Sequence, residues 1–129
     1  MYLDFDLDAV EALAPRRLRA AHADGATYMV SVRGVSDALI AACGVSPDDA
    51  APLVPHDTDP RVGLGRVGTL TTPVTLRELA DRLAQRIPPT AQGLRVAGDP
   101  ERPVSTVAVC GGSGDSLFDE VRAHGADVF

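Results

Sequence analysis

The stretch Val104-Ser-Thr-Val-Ala-Val-Cys110-Gly-Gly-Ser-Gly114-Asp-Ser-Leu-Phe118 decides the fold of this chain. Its first seven residues are largely apolar and rich in valine, which predicts a strand in a sheet covered on both faces. The glycines that follow predict a tight loop. Leu117, Phe118 and Val121 then predict a helix that turns these side chains inward and ends at Gly125. This strand, loop and helix are typical of an α/β domain.

Two further helices are predicted upstream of this unit. Residues 75–87 form the clearest one, because Thr75 and Glu78 make a capping box, one face is apolar, and two prolines follow at 88 and 89. A shorter helix is predicted to start with Ser36 as its cap and to close at Gly44. Nearer the N-terminus, residues 8–23 predict two short helices separated by Pro15.

Strands are predicted on both sides of these helices. Residues 26–32 are β-rich and lie between two glycines, and residues 62–70 predict a weak strand whose glycines favour a bulge or the close approach of another backbone. Residues 93–97 predict a short strand, and residues 126–129 begin another. The fold class expected from this pattern is α/β, with a mixed sheet and flanking helices.

The chain length of 129 residues favours a single domain, here an incomplete one covering residues 1–129. A weaker sub-boundary is predicted at the Pro-rich link of residues 46–60, whose prolines, aspartates and small residues indicate a surface connection. It would separate residues 1–45 from residues 61–129.

Composition excludes several classes of function. The chain has no lysine, which rules out Schiff-base chemistry and the lysine of a P-loop. Its net charge of −6 and its dispersed arginines argue against a nucleic-acid partner. Cys43 and Cys110 lack metal-site spacing and are expected to be small buried hydrophobes. No apolar run approaches a membrane span and the N-terminus is acidic, so we expect a cytoplasmic protein without a membrane partner.

The glycine loop is the strongest candidate site, formed by Gly111, Gly112, Ser113 and Gly114. Backbone amides before a helix can bind an anion, which makes this loop a weak candidate for anion or nucleotide binding. A dinucleotide fingerprint would need glycine at Leu117, and the carboxylate of Asp115 adds negative charge. A plain tight turn from strand to helix therefore stays open as the alternative.

The three histidines do not form an obvious metal site. His56 with Asp57 and Asp59 could trap a metal ion, but a Pro-rich loop makes a poorly preorganised site. His22 and His124 are expected to be structural or solvated residues.

Three ordered motifs carry a family resemblance: Gly34-Val35-Ser36-Asp37-Ala38-Leu39, Gly63-Leu64-Gly65-Arg66-Val67-Gly68, and Val107-Ala108-Val109-Cys110-Gly111-Gly112-Ser113-Gly114. Over about residues 34–129 the chain resembles the Nif-three-like dinuclear metal centre family, often called type 2 GTP cyclohydrolase I. The resemblance implies an α/β fold, two divalent metal ions, metal-dependent hydrolase chemistry and a hexameric assembly. It also implies ligands from a His-His-Pro segment, a central Asp, and a late His and Glu.

This sequence departs from that ligand pattern. It contains no His-His pair, and the central Asp position falls in the Thr27-Tyr28-Met29-Val30 stretch. We therefore expect a truncated or degenerate family member that has lost its metal ligands, binds no cofactor and serves as a non-catalytic scaffold or fragment. The alternatives are a metal-dependent hydrolase with substitute ligands such as His22, His56 and Asp57 or with partner-supplied ligands, and the anion-binding module. We also expect a homo-oligomer, or self-association through an exposed sheet edge.

Overall fold

The computed structural model describes residues 34–129, which begin with helix α1 (Val35–Cys43). Its N-cap is Gly34, whose backbone N–H donates to Asp37 Oδ2 at 2.6 Å, and its C-cap Gly44 has a φ of 102°. The predicted cap at Ser36 is therefore wrong. Ser36 lies inside the first turn and is buried. Its hydroxyl accepts a hydrogen bond from the N–H of Gly111 in a distant loop instead of capping its own helix.

The link of residues 46–60 is more than a surface connection. It contains a short 3₁₀ helix (Pro47–Asp49) and strand β1 (Val54–Pro55), which pairs antiparallel with β2 (Gly63–Leu64). Leu53 in this link is only 1% exposed, because it packs into the core beside the sheet. The proposed division of the chain at this link stays a prediction.

The main sheet pairs β3 (Arg66–Thr75) with β4 (Pro103–Val109) in antiparallel register. Arg66 lies opposite Val109, and an irregularity in register falls between Thr69 and Val74. The predicted weak strand at residues 62–70 is confirmed as two pieces. Gly65, at a φ of 61°, separates them, and a Cβ at Gly63 would collide with the carbonyl of Val54.

Helix α2 (Leu76–Arg86) matches the predicted helix closely. The Thr75 hydroxyl accepts from the N–H of Glu78 at 3.1 Å, and the Glu78 carboxylate accepts from the N–H of Thr75 at 2.7 Å. The capping box predicted from these two residues is thus confirmed. The apolar face of α2 is buried against α1 and the sheet.

The predicted strand at residues 93–97 is wrong. The connection between α2 and β4 has no regular structure there, and Val96 is 45% exposed. Leu94 packs against the core but the segment forms no ladder, so its β propensity has no neighbouring strand to pair with.

A short 3₁₀ turn (Asp115–Leu117) leads from β4 into helix α3 (Phe118–Ala123). Leu117 and Val121 are buried as predicted, but Phe118 is 48% exposed, so its predicted inward position is wrong. The 3₁₀ turn before α3 changes the angular spacing of these side chains, and Phe118 instead meets Phe129 edge-on at 5.8 Å.

The last residues of the chain add to the sheet as expected. Val128 forms a parallel bridge with Val107, and the N–H of Ala108 donates to the carbonyl of Val128 at 3.0 Å. The carboxylate of Asp127 accepts from the N–H groups of Ser105 and Thr106, which lowers the pKa of that carboxyl. The sheet is therefore mixed.

Both faces of β4 are covered, as its apolar sequence predicts. Val107 and Val109 join the core under α1 and α2, whereas Ala108 faces a second core with Leu53 and Val121. The expected α/β class with a mixed sheet and flanking helices is thus confirmed. Among residues 34–129, no helix is long and apolar enough to cross a membrane. The helices and strand predicted within residues 8–32 lie outside the described residues.

Candidate functional site

The three sequence motifs meet at the first turn of α1. Asp37 on this turn reaches β3, and its neighbours Val35 and Ser36 reach the loop after β4. We call the group formed by Ser36, Asp37, Arg66 and Gly111 the motif junction. It joins segments that are up to 75 residues apart in sequence.

A buried ion pair forms the centre of the motif junction. Arg66 Nε donates to Asp37 Oδ1 at 2.8 Å, and the two side chains are only 6% and 7% exposed. The same guanidinium donates from Nη2 to Asp37 Oδ2 at 3.3 Å, and from Nη1 to the carbonyls of Gly65 at 2.7 Å and Gly63 at 3.2 Å. Both charges are hydrogen-bonded as well as paired, which buried charges require.

The second contact of the motif junction holds the glycine loop. Ser36 Oγ accepts from the N–H of Gly111 at 3.3 Å, and a Cβ at Gly111 would lie 2.7 Å from Val35 Cγ1. Glycine at this position therefore lets the loop approach α1 closely. The Ser36 hydroxyl binds the loop after β4, and the carboxylate of the next residue, Asp37, binds Arg66. One turn of α1 therefore fixes the start of β3 and the end of β4 together.

The predicted anion loop follows immediately after this contact. Gly112 has a φ of 85°, which favours glycine, and Ser113 Oγ donates to the carboxylate of Asp115 at 2.8 Å. This carboxylate stands beside the amides that an anion would use. Helix α3 has only six residues, so its dipole contributes little to anion binding. Anion binding by Gly111, Gly112, Ser113 and Gly114 stays a prediction.

A mostly apolar cavity of about 60 Å³ lies beside this loop and wraps the end of β4. Cys43 and Cys110 both line it, but neither is suited to nucleophilic catalysis. Burial raises the pKa of the Cys43 thiol to about 12 and also raises the pKa of the Cys110 thiol. A thiol with a raised pKa carries little reactive thiolate at neutral pH. The expectation that both cysteines are buried holds fully for Cys43 and in part for Cys110.

Of the candidate metal residues of the link, His56 and Asp57 are exposed and Asp59 is half-buried, and His56 and Asp59 bind neighbouring groups. His56 Nδ1 lies 3.0 Å from Thr58 Oγ1 and accepts from the Thr58 N–H at 3.3 Å. Arg61 donates to both carboxylate oxygens of Asp59, at 3.0 and 2.9 Å, and these hydrogen bonds lower the Asp59 pKa to about 2. Among the described residues, Asp57 belongs to no group of three or more His, Cys, Asp or Glu side chains, and His22 lies outside those residues.

The remaining histidine also has a structural contact. His124 Nε2 lies 3.1 Å from the carbonyl oxygen of Leu53, so the residue ties the end of α3 to the buried link. Within residues 34–129, no three His, Cys, Asp or Glu side chains gather in a group that could hold a metal ion. The side chains in this range therefore do not fit a dinuclear centre.

Sequence reasoning missed the Asp37–Arg66 pair, although both residues stand in the quoted motifs. An arginine in a strand of glycines and apolar residues is the signal that would have found it. Such a strand is expected to be buried, and a buried arginine requires an anionic partner. Asp37 stands at the third position of a helix, where its negative charge also favours the helix N-terminus.

Comparisons with known proteins extend the resemblance beyond these motifs. The Duf34/NIF3 (NGG1p interacting factor 3) family matches residues 5–129. A "GTP cyclohydrolase 1 type 2 homolog" of Streptomyces coelicolor is 63% identical over 98 residues, covering 74% of this chain and 34% of that protein. A protein of the same name from Mycobacterium tuberculosis is 43% identical over 121 residues, covering 94% and 28%.

A solved structure of a Bacillus cereus protein related to NIF3 is 35% identical and covers 51% of this chain and 18% of its own, with a TM-score of 0.47. The chain spans about a third of the length of the Streptomyces relative, 34%, and less of the Mycobacterium one. The resemblance seen in the three motifs is confirmed, and the match reaches further toward the N-terminus than the motifs do. This chain belongs to the Duf34/NIF3 family.

Proposed function

We propose that residues 34–129 act as a NIF3-type scaffold that carries no dinuclear metal centre of its own, so that the chain by itself is not a hydrolase. The observation that carries the proposal is that no three His, Cys, Asp or Glu side chains of residues 34–129 gather in one group, and the contacts of Asp37 agree with it. This carboxylate belongs to a family motif, yet its oxygens bind the Arg66 guanidinium and the Gly34 N–H. A carboxylate committed to a buried cation is not free to ligate a metal ion.

The other motif residues support the same assignment. Ser36 and Gly111 bind each other, and Gly63 and Gly65 supply carbonyls to Arg66. These motifs therefore serve packing within the described part of the chain. Two-metal hydrolysis needs several carboxylate and imidazole ligands around a bridging water, and no such group is gathered in residues 34–129.

Metal content per chain tests the proposal directly. The purified chain is incubated with Mn²⁺, Zn²⁺ and Fe²⁺, freed of unbound ions and examined by elemental analysis, with the Streptomyces relative treated in parallel. We expect far less than one ion per chain. Two tightly held ions per chain would overturn the proposal, whatever the activity.

A second candidate is a metal-dependent hydrolase with substitute ligands, which the name shared by the relatives favours. Its ligands would include His22, His56 and Asp57. Release of product from GTP is measured with added metal ions for the chain and for the variant with all three residues changed to Ala. Metal-dependent turnover that this variant loses would establish the hydrolase and refute the scaffold assignment.

A further inference from the structure

Two glycines with left-handed backbone conformations bracket a short segment between α2 and β4. Gly93 has a φ of 65° and Gly98 a φ of 130°. We call the residues between them, Leu94 to Ala97, the strap. The strap has no regular secondary structure, and within residues 34–129 none of its backbone groups takes part in a backbone hydrogen bond. Its main chain is therefore tied neither to the sheet nor to a helix.

The chain is fixed on both sides of the strap. Before it, the N–H of Gly93 donates to the carbonyl of Thr90 at 3.1 Å. After it, the N–H of Leu76 at the start of α2 donates to the carbonyl of Arg102 at 2.9 Å. Within the strap only Leu94 is half-buried, and the other residues are exposed. The strap can therefore be lifted from the surface while the elements on either side stay in place.

Arg95 presents its side chain to solvent from the middle of the strap. Its Nη2 donates to the side-chain oxygen of Gln92 at 2.6 Å, and within residues 34–129 it forms no ion pair with a carboxylate. A hydrogen bond to a neutral amide at the surface is weaker than one to a carboxylate. The Arg95 guanidinium is therefore available to a carboxylate offered by another protein.

The other arginines of residues 34–129 do not combine an available side chain with an unpaired main chain. Arg61 is exposed, but Asp59 accepts hydrogen bonds from its Nε, its Nη2 and its backbone N–H. Arg102 is followed by Pro103, whose ring fixes the backbone and leaves no N–H to donate. The remaining ones lie inside helices or strands, namely Arg66, Arg77, Arg82, Arg86 and Arg122.

We propose that the strap is a site of limited proteolysis by an arginine-specific serine protease. The protease takes the Arg95 side chain into a pocket that contains a carboxylate and binds the strap as an extended segment. Water is added across the peptide bond between Arg95 and Val96, which leaves a carboxylate on Arg95 and an amine on Val96. The assignment goes beyond the scaffold role and does not depend on whether metal is bound.

The two pieces of the cut chain are expected to stay together. The cut lies outside both strands of the main sheet, so β3 keeps its pairing with β4, from Arg66 opposite Val109 to Thr75 opposite Pro103. Val109 also remains in the core with the side chains of α1 and α2. These contacts do not depend on the continuity of the strap, so the nicked chain should keep its fold.

Limited digestion of the full chain with trypsin, without denaturant, tests the proposal. The chain contains no lysine, so trypsin can cut it only after arginine. Fragments with both ends in residues 34–129 are identified by mass spectrometry at successive times. We expect the fragment of residues 96–129 to appear first among them. In size-exclusion chromatography this fragment should elute together with the piece that carries α1, α2 and β3.

Three variants locate the cut. Arg95→Gln removes the cleavable residue and should slow the release of this fragment roughly tenfold or more. Adding Val96→Arg to it returns an arginine to the strap and should restore cutting one residue later. The matched control adds Ala84→Arg instead, at an exposed position inside α2, and should stay resistant.

Several results would overturn the assignment. An earlier cut after Arg61, or after any other arginine of residues 34–129, would show that the strap is not the preferred site. A rate of cutting at Arg95 that rises only in step with unfolding in urea would show that cleavage needs the unfolded chain. Separation of the two pieces on the column without urea would contradict their expected association.

Discussion

Asp37→Ala is expected to destabilise this chain more than any exposed charge change, because it strands the Arg66 guanidinium in the core. Arg66 is 5% exposed and, within residues 34–129, has no second carboxylate among its hydrogen-bond partners. Removing one partner of a buried ion pair costs about 3–5 kcal/mol. The N–H of Gly34 loses its acceptor as well, which adds to the loss.

The assay is urea unfolding at pH 7, followed by circular dichroism. Glu101→Ala is the control, because Glu101 pairs with Arg77 at 3.2 Å while the side chains are 69% and 61% exposed. An exposed pair contributes only about 0–1 kcal/mol, so the two variants should differ several-fold in their effect on the free energy of unfolding. If Asp37→Ala is unfolded without urea, the comparison is repeated in trimethylamine N-oxide, which favours compact states.

The double variant Asp37→Leu, Arg66→Met separates the pair from its surroundings. It removes both charges, so the remaining loss is that of the donors to Gly63 and Gly65 and of the acceptor for the Gly34 N–H, about 1 kcal/mol each. The double variant should therefore be more stable than Asp37→Ala alone. The reasoning is refuted if Asp37→Ala lowers the free energy of unfolding no more than Glu101→Ala does. It is also refuted if the effects of Asp37→Leu and Arg66→Met, each measured alone, simply add up to the effect of the double variant.

Three other outcomes follow from the described residues. Gly65→Ala should destabilise the chain clearly more than Gly93→Ala. Both glycines have φ above 60°, but only at Gly65 would the Cβ lie 2.8 Å from a carbonyl oxygen. Equal melting temperatures of the two variants would contradict this. Two backbone N–H donors lower the pKa of Asp127 in the folded chain. The ionised Asp127 carboxylate therefore adds to the free energy of unfolding above the unfolded pKa of about 3.9, and this contribution is lost as pH falls through the lower folded pKa. The stability difference between the wild type and Asp127→Asn should therefore shrink with acidification, and a constant difference from pH 7 to pH 2 would exclude this role. Mass spectrometry after brief treatment with iodoacetamide at pH 8 should find Cys110 alkylated and Cys43 largely unmodified, because Cys43 is 1% exposed and its pKa is about 12; preferential labelling of Cys43 would contradict the structure.

Local pattern predicted the elements whose signals lie within their own sequence. Helix α2 shows both a capping box and an apolar face in its own sequence, and β4 shows an apolar run, so each was predictable from about ten residues. The strand predicted at residues 93–97 does not form, because a segment with β propensity becomes a strand only when a neighbouring strand is available to pair with it. The prediction that Phe118 points into the core was wrong because a 3₁₀ turn precedes its helix. Such a turn shifts the angular spacing of side chains on which that prediction depended.

The contacts of the motif junction were not predicted, for a different reason: they join residues that are distant in sequence. Ser36 has the chemistry of a helix cap, yet its hydroxyl binds Gly111, 75 residues away, and Gly34 takes the cap position. Nothing within a local window distinguishes these two uses of a serine. The pairing of Arg66 with Asp37 is likewise set by the packing of α1 on β3.

Family membership and family chemistry are separate questions for this chain. The motifs by which this chain resembles the family position α1, β3 and β4 against one another, and their polar groups bind one another. Membership of the family thus supports the architecture directly, whereas activity must be argued from ligands gathered at a site. For this chain, metal content is the stricter test of function than any further likeness in sequence.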